Sequence, residues 1–348
     1  MEQIARVLWT RREAESLTYA AQALLIAQDL GDRPHEGRLT ELVGHIYSDT
    51  LHDPERAAIY FDQALKICRE TGNRIDEAWT LWGMGGLALL LDDYTRAMQH
   101  YQQAKKIAEN IGATLQVGWD LYYMGDAWYN LGNSDRALDH YQQAQAIFNA
   151  GHHTRGQIYA LISLGLVFIT TEEFDKAGPS LNQAMQQAEE RHDLVLALRS
   201  CQALSAYHRL LGGEENLTNA IRLSNRIIKL TAEGGHYEHE LLGHYLRGAG
   251  LFELRDLREA HKSSSIAVDQ LERLIYLHSP QISASEIYYG HSRILSALGQ
   301  ANNSRVYLQK AYDETMRKAD LITDPQHRRD FLHNVPLNQV IVSQMGQQ

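Results

Sequence analysis

The sequence has few of the features that mark most functional classes. Two cysteines, Cys68 and Cys201, stand far apart in 348 residues with no CxxC pair. That argues against a disulfide framework and fits a reducing compartment. Both occupy helix-packing positions of the repeat described below, so each is expected to act as a small buried apolar group. Prolines number only six. Proline interrupts helix interiors, so the low count suits a chain that is nearly all helix. No run approaches the ~20 apolar residues that a membrane-spanning helix requires. The start, Met1-Glu2-Gln3-Ile4-Ala5-Arg6, has no signal-peptide apolar region. There is no strong basic block either, and the net charge is −10. An acidic surface is a poor match for nucleic acid or an anionic membrane, so neither is expected as a partner. The expectation is a soluble, cytoplasmic protein.

What the chain does have is apolar material, 44% of its residues. A single globular core usually stops growing near ~250–300 residues, so the length implies two domains or an elongated repeat array. A repeat is present. His100-Tyr101-Gln102-Gln103-Ala104 recurs unchanged as His140-Tyr141-Gln142-Gln143-Ala144, a step of 40. The same step relates Gly85, Gly125 and Gly165, and also Ala57, Ala97, Ala137 and Ala177. It relates Ala64, Ala104, Ala144 and Ala184, with Phe61, Tyr101, Tyr141 and Leu181 between the two alanine series. Small residues let two helices approach, large ones fill the space beside them, and spacings of three and four put them on one helical face. One helix pair cannot bury such a face alone, so neighbouring pairs must stack.

These residues resemble the tetratricopeptide repeat (TPR) family, whose signature runs Leu-Gly-x2-aromatic, then Ala-x3-aromatic-x2-Ala. Leu121-x2-Met124-Gly125-x2-Trp128 with Ala137-x3-Tyr141-x2-Ala144 matches it. So do Leu161-x2-Leu164-Gly165-x2-Phe168 with Ala177-x3-Leu181-x2-Ala184, and Leu81-x2-Met84-Gly85-x2-Ala88 with Ala97-x3-Tyr101-x2-Ala104. The unit is 40 residues rather than the usual ~34 and lacks the closing proline. It looks like the long-repeat variety found in sensor and docking domains of multidomain bacterial regulators. The resemblance implies an all-α, right-handed superhelical solenoid of antiparallel helix pairs.

The pattern predicts a solenoid over 1–322: one truncated pair (1–31), then seven pairs over about 35–321. An insertion falls at Gly212-Gly213-Glu214-Glu215-Asn216. The first helix starts so close to its small-residue slot, Ala5, that the phase predicts an upstream portion. Asp53-Pro54 and Asp324-Pro325 read as helix N-caps followed by a first-turn proline. The segment 323–348 reads as a capping helix and tail, in which Phe331, Leu332, Val335 and Ile341 cover the last pair. It resembles the tail that closes such arrays in multidomain bacterial proteins.

Chemistry-bearing motifs are scarce. Gly83-Met84-Gly85-Gly86-Leu87-Ala88 satisfies GxGxxA, but that fingerprint needs a strand before it, and here it lies inside a repeat helix. His239-Glu240-Leu241-Leu242-Gly243-His244 has one residue too many for HExxH, so its histidines diverge on a helix. A metal site at His236, Glu238 and His239, beside Gly234-Gly235, is not favoured either. No metal, cofactor or catalytic residue is expected.

The concave face is more informative. In a TPR array the first helix of each pair lines it. Its slots hold Leu39, Leu42, Ile46 and Asp49 in one pair; Trp79, Trp82, Gly86 and Leu89 in the next; then Trp119, Tyr122, Asp126 and Tyr129; then Tyr159, Ile162, Leu166 and Ile169. Three of the five tryptophans fall in this strip. Aromatic side chains anchor interfaces, so Trp79, Trp82, Trp119, Tyr122, Asp126, Tyr129 and Tyr159 are candidate partner-binding residues. The competing reading packs these rings between repeats. The following pair offers Arg199, Gln202, Ala206 and Arg209, whose two guanidinium groups suit a carboxylate or phosphate. The function expected is a non-catalytic protein- or peptide-binding scaffold of a signalling or regulatory protein. The alternative is a small-molecule sensor with an aromatic pocket in the groove. Self-association is compatible with either.

Overall fold

A computed structural model describes residues 1–10, 13–232, 237–274 and 282–346. Two short helices come first, α1 (Glu2–Thr10) and α2 (Ser16–Asp29). Pairs follow: α3 (Arg33–Asp49) with α4 (Pro54–Thr71), α5 (Arg74–Leu90) with α6 (Tyr94–Asn110), and α7 (Thr114–Asn130) with α8 (Ser134–Ala150). Next come α9 (Thr154–Thr170) with α10 (Phe174–Glu190), and α11 (Leu194–Leu211) with α12 (Glu214–Thr231). The last pairs are α13 (Tyr237–Glu253) with α14 (Leu257–Leu271), and α15 (Ala284–Ala297) with α16 (Ala301–Leu321). Two further helices, α17 (Pro325–His333) and α18 (Pro336–Gly346), end the chain. The described residues are all-helical, without strands, and none of their helices is long and apolar enough to cross a membrane.

The helix boundaries follow from side-chain caps. Asp53 accepts the Arg56 amide at 3.0 Å, Asp93 the Arg96 amide at 3.0 Å and Asn133 the Arg136 amide at 3.1 Å, each one repeat from the last. Asp324 accepts the amides of Gln326 and His327 at 2.8 and 2.9 Å, starting α17. Such caps satisfy amides that a helix N-terminus leaves without partners. Gly212 and Gly213, both at positive φ, form the turn before α12; α12 starts 40 residues after α10 but Ala220 follows Ala177 by 43, so the three extra residues lie in its first turns.

The repeat spacing has a direct physical cause. In three of the pairs, α3–α4, α5–α6 and α9–α10, the glycine of the first helix receives the large residue of the second. A Cβ on Gly85 would lie 2.7 Å from the Tyr101 ring, and one on Gly165 would lie 2.4 Å from Leu181. Gly44 meets Phe61 in the same way, at 2.9 Å. Phe61, Tyr101 and Leu181 are all fully buried. Cys68 and Cys201 are buried and unpaired, and burial pushes both thiols up to about 11.

The chain divides into two units, Met1–Ala127 and Trp128–Gln348. The core of the first gathers Ala5, Ala20, Leu42, Ile46 and Phe61, with Trp9 and Met84 packed against it. The core of the second runs from Ile158 through Leu181, Leu198 and Ile227 to Ile287. The segment expected as one capping helix is two, because Pro336 begins a new helix after His333. Phe331 and Ile341 are buried, while Leu332 and Val335 are half-buried. Asn338 donates to the Phe331 carbonyl at 2.9 Å. These helices also reach the turn between α7 and α8. The His327 ring meets Trp128 edge to face at 5.0 Å, and Val335 lies against Gly132.

Candidate functional site

In the first unit the aromatic side chains form a continuous row. Trp79 meets Trp82 edge to face, centroids 5.7 Å apart. Trp82 meets Tyr123 at 5.5 Å and His45 at 5.8 Å. His45 in turn meets Trp9 at 5.1 Å. On α7, Trp119 lies 5.9 Å from Tyr122 and 6.2 Å from Tyr123. Tyr123 stacks on Tyr101 of α6, 5.6 Å away and nearly parallel. Offset stacks and edge-to-face contacts are the favourable geometries for such rings. They hold the row rigid while Trp79, Trp82 and Trp119 stay half-exposed. Tyr122 differs, being 1% exposed, and Asp126 is buried beside it. Tyr122 therefore supports the row from beneath.

Tyr123, His45 and Trp9 were not among the residues read from the repeat. Tyr123 carried a signal: its equivalents one repeat away are Gly83 and Ser163, so a large ring there is out of pattern. His45 was hidden by register. Gly44 precedes Phe61 by one residue more than Gly85 precedes Tyr101. The slot facing Trp82 on α3 is consequently His45 instead of Ile46, and Leu39, Leu42 and Ile46 belong to the core.

In the second unit, Tyr129 places its hydroxyl 3.3 Å from Thr170 Oγ1. The Arg199 guanidinium lies over the Tyr159 ring, 4.8 Å from its centroid. Both rings are half-buried. Arg209 donates to Glu253 Oε1 at 3.0 Å. Burial works against the Arg209 charge, but nearby Tyr245, Glu253 and Glu286 hold its pKa above the usual value. Burial raises the Glu286 carboxyl, against the opposing pull of Arg209 and of the Tyr245 hydroxyl, which donates to it at 2.9 Å. Ile162 is core, at 1% exposure.

The histidine-rich stretch of α13 has other duties. His239 pairs with Gln202 across 3.0 Å, and His244 faces Glu240 at 3.9 Å. His236, Gly234 and Gly235 lie outside the described residues. The GxGxxA stretch lies inside α5, where a Cβ on Gly83 would meet Phe61 at 2.7 Å and His45 at 2.9 Å.

A tetratricopeptide repeat family model matches residues 42–110 and 76–150. No curated protein matches the sequence. Among solved structures, NprR in complex with its cognate peptide NprX is similar over 95% of this chain and 98% of its own, at 14% identity and a TM-score of 0.59. The Rap conjugation gene regulator of plasmid pLS20, in complex with the Phr* peptide, covers 99% of this chain and 96% of its own, with 12% identity and a TM-score of 0.58. A STAND signal transduction ATPase with a tetratricopeptide repeat sensor, from Pyrococcus horikoshii, covers 91% of this chain and 52% of its own, with 15% identity and a TM-score of 0.53. At these identities the likeness establishes the fold.

Proposed function

From a chain that carries tetratricopeptide repeats, we propose a non-catalytic docking scaffold that holds a peptide, or an apolar segment of a protein, along the first-helix faces of its pairs. The observation that carries this is the aromatic row of Trp79, Trp82, Tyr123 and Trp119. Its rings are held by one another, yet its three indoles keep part of their surface open. Clustered aromatic surface left open to solvent is a mark of interaction sites, and aromatic side chains are enriched among interface anchors. The second unit carries its own candidate residues, Tyr129, Tyr159, Arg199 and Arg209. NprR and the Rap regulator, which share the fold, are described with bound peptides, and the STAND protein uses its repeats as a sensor. A regulatory role for this chain is read from that likeness.

Ser264 Oγ lies 2.8 Å from His291 Nδ1, and both residues are buried. Burial, aided by His261, pushes the His291 ring down to about 4.

Titration with candidate peptides, read by tryptophan fluorescence, tests the proposal. A saturable change with peptide, lost in Trp82→Ala and Trp119→Ala, supports it. A saturable change with small aromatic compounds and none with peptides would replace it with a ligand sensor.

A further inference from the structure

We propose that the first unit holds a notch for one cationic group, an ammonium or guanidinium carried by the partner, at Gly86 on α5. The inference rests on the docking surface proposed above and names the chemistry it selects.

The notch begins with a missing side chain. Gly86 occupies the slot that His45 fills on α3 and Asp126 on α7, and it is half-exposed. A Cβ built there meets a single neighbour within 4 Å, the Tyr101 hydroxyl at 3.7 Å. The remaining space is open. Tyr101 comes up from α6 beneath Gly85 and is fully buried, and its hydroxyl has no hydrogen-bond partner. A buried hydroxyl without a partner costs free energy. This one lies under the only slot of the row that lacks a side chain.

The surroundings select the sign of charge. Burial raises the Tyr101 phenol well above its ordinary value, so it stays a neutral hydroxyl that can accept a hydrogen bond. Asp126 is a buried carboxylate in the adjacent slot. On the other side His45 Nε2 lies 3.3 Å from Glu41. Trp82, one turn earlier on α5, meets Tyr123 with ring centroids 5.5 Å apart, and an aromatic face attracts a cation. Carboxylates, an accepting hydroxyl and aromatic faces together favour a positive group over a neutral or anionic one. Trp82 Nε1, one turn before Gly86, is a second buried atom without a partner. It is a donor and calls for an acceptor. A basic side chain on a backbone with free carbonyls supplies both.

Two pairs of probes test this on the full chain: n-butylammonium with its uncharged twin n-butanol, and an extended apolar peptide centred on lysine with its norleucine twin. Butylammonium should quench tryptophan fluorescence saturably while butanol does not. The lysine peptide should bind about tenfold or more tightly than the norleucine one, the scale of a charge-assisted hydrogen bond. Both preferences should vanish in Gly86→Leu and weaken in Tyr101→Phe. Gly86→Ala adds one methyl at an ordinary contact distance and keeps the test available if the leucine variant does not fold. Equal response to the charged and neutral probes, or an unchanged preference in the glycine variants, overturns the notch. Equal binding of both peptides removes the notch and leaves the docking surface standing. Response to butylammonium with no binding of either peptide keeps the notch and removes the docking surface.

Discussion

Trp128 and His327 meet edge to face with ring centroids 5.0 Å apart, tying α17 to the end of α7. Arg136 completes the contact from α8, its guanidinium 4.3 Å from the Trp128 centroid. One turn on, Gly132 has a φ of 77°, and a Cβ there would lie 3.0 Å from Val335 Cγ2 and 3.2 Å from the Asp330 carbonyl. Glycine is doubly required, by the left-handed backbone and by the close approach. Gly132→Val should therefore lower the melting temperature and shift the Trp128 emission toward that of an exposed indole. Removal of residues 323–348 should give the same emission shift. An unchanged spectrum in both variants would show that the tail does not hold Trp128 in solution.

The glycine–large-residue contact predicts which substitutions the repeats refuse. Gly165→Leu would drive a side chain into Leu181, already 2.4 Å from a bare Cβ. Overpacking of this kind costs ~1–3 kcal/mol or more. Urea unfolding should show that loss. A melting curve identical to the parent's would mean that the packing face has been misassigned.

Asp120 sets the pH dependence. It is fully buried on α7 and neither carboxylate oxygen has a hydrogen-bond partner. Burial pushes its pKa up to about 8 from the usual 3.8, with Lys105 lowering it and Glu109 raising it. An acid whose folded pKa is raised holds its proton more tightly in the folded state. Its contribution is intact below the usual carboxylate range and is lost as pH rises through about 8. Stability should fall by a few kcal/mol, on the order-of-magnitude scale of ~1.4 kcal/mol per unit, as pH rises from 4 to about 8. Asp120→Thr should remove this slope. Thr80 fills the same slot one repeat earlier and satisfies its hydroxyl on the Asp76 carbonyl at 2.7 Å. Unfolding free energies at both pH values, for parent and variant, provide the check, and parallel curves would contradict it.

The fold was legible because its defining contacts demand fixed spacing. Gly85 on Tyr101 and Gly165 on Leu181 work only if helix, turn and helix keep the same length, so the period of 40 shows directly in the sequence. The site was less legible, because one residue of slack in a turn rotates a helix by about 100° relative to the repeat phase. That slack before Phe61 exchanged Ile46 for His45 in the row. Burial also escaped the pattern: Tyr122 and Trp119 share a helical stripe, but only the indole stays half-exposed. The second tail helix was hinted at by Pro336, which starts α18. The contact of that tail with the α7–α8 turn is long-range and leaves no periodic trace.

The central claim is that the half-exposed indoles bind a partner while the buried rings hold the fold. Peptide affinity and melting temperature, measured together for Trp119→Ala, Trp82→Ala and Tyr122→Ala, test it most directly. The account predicts that the two tryptophan variants lose about tenfold or more in affinity, as interface anchors do, with little change in melting temperature. It predicts that Tyr122→Ala loses about 3–5 kcal/mol of stability, the scale for deleting a buried aromatic ring. Tryptophan variants that unfold as readily as Tyr122→Ala, or that keep full affinity, would contradict it.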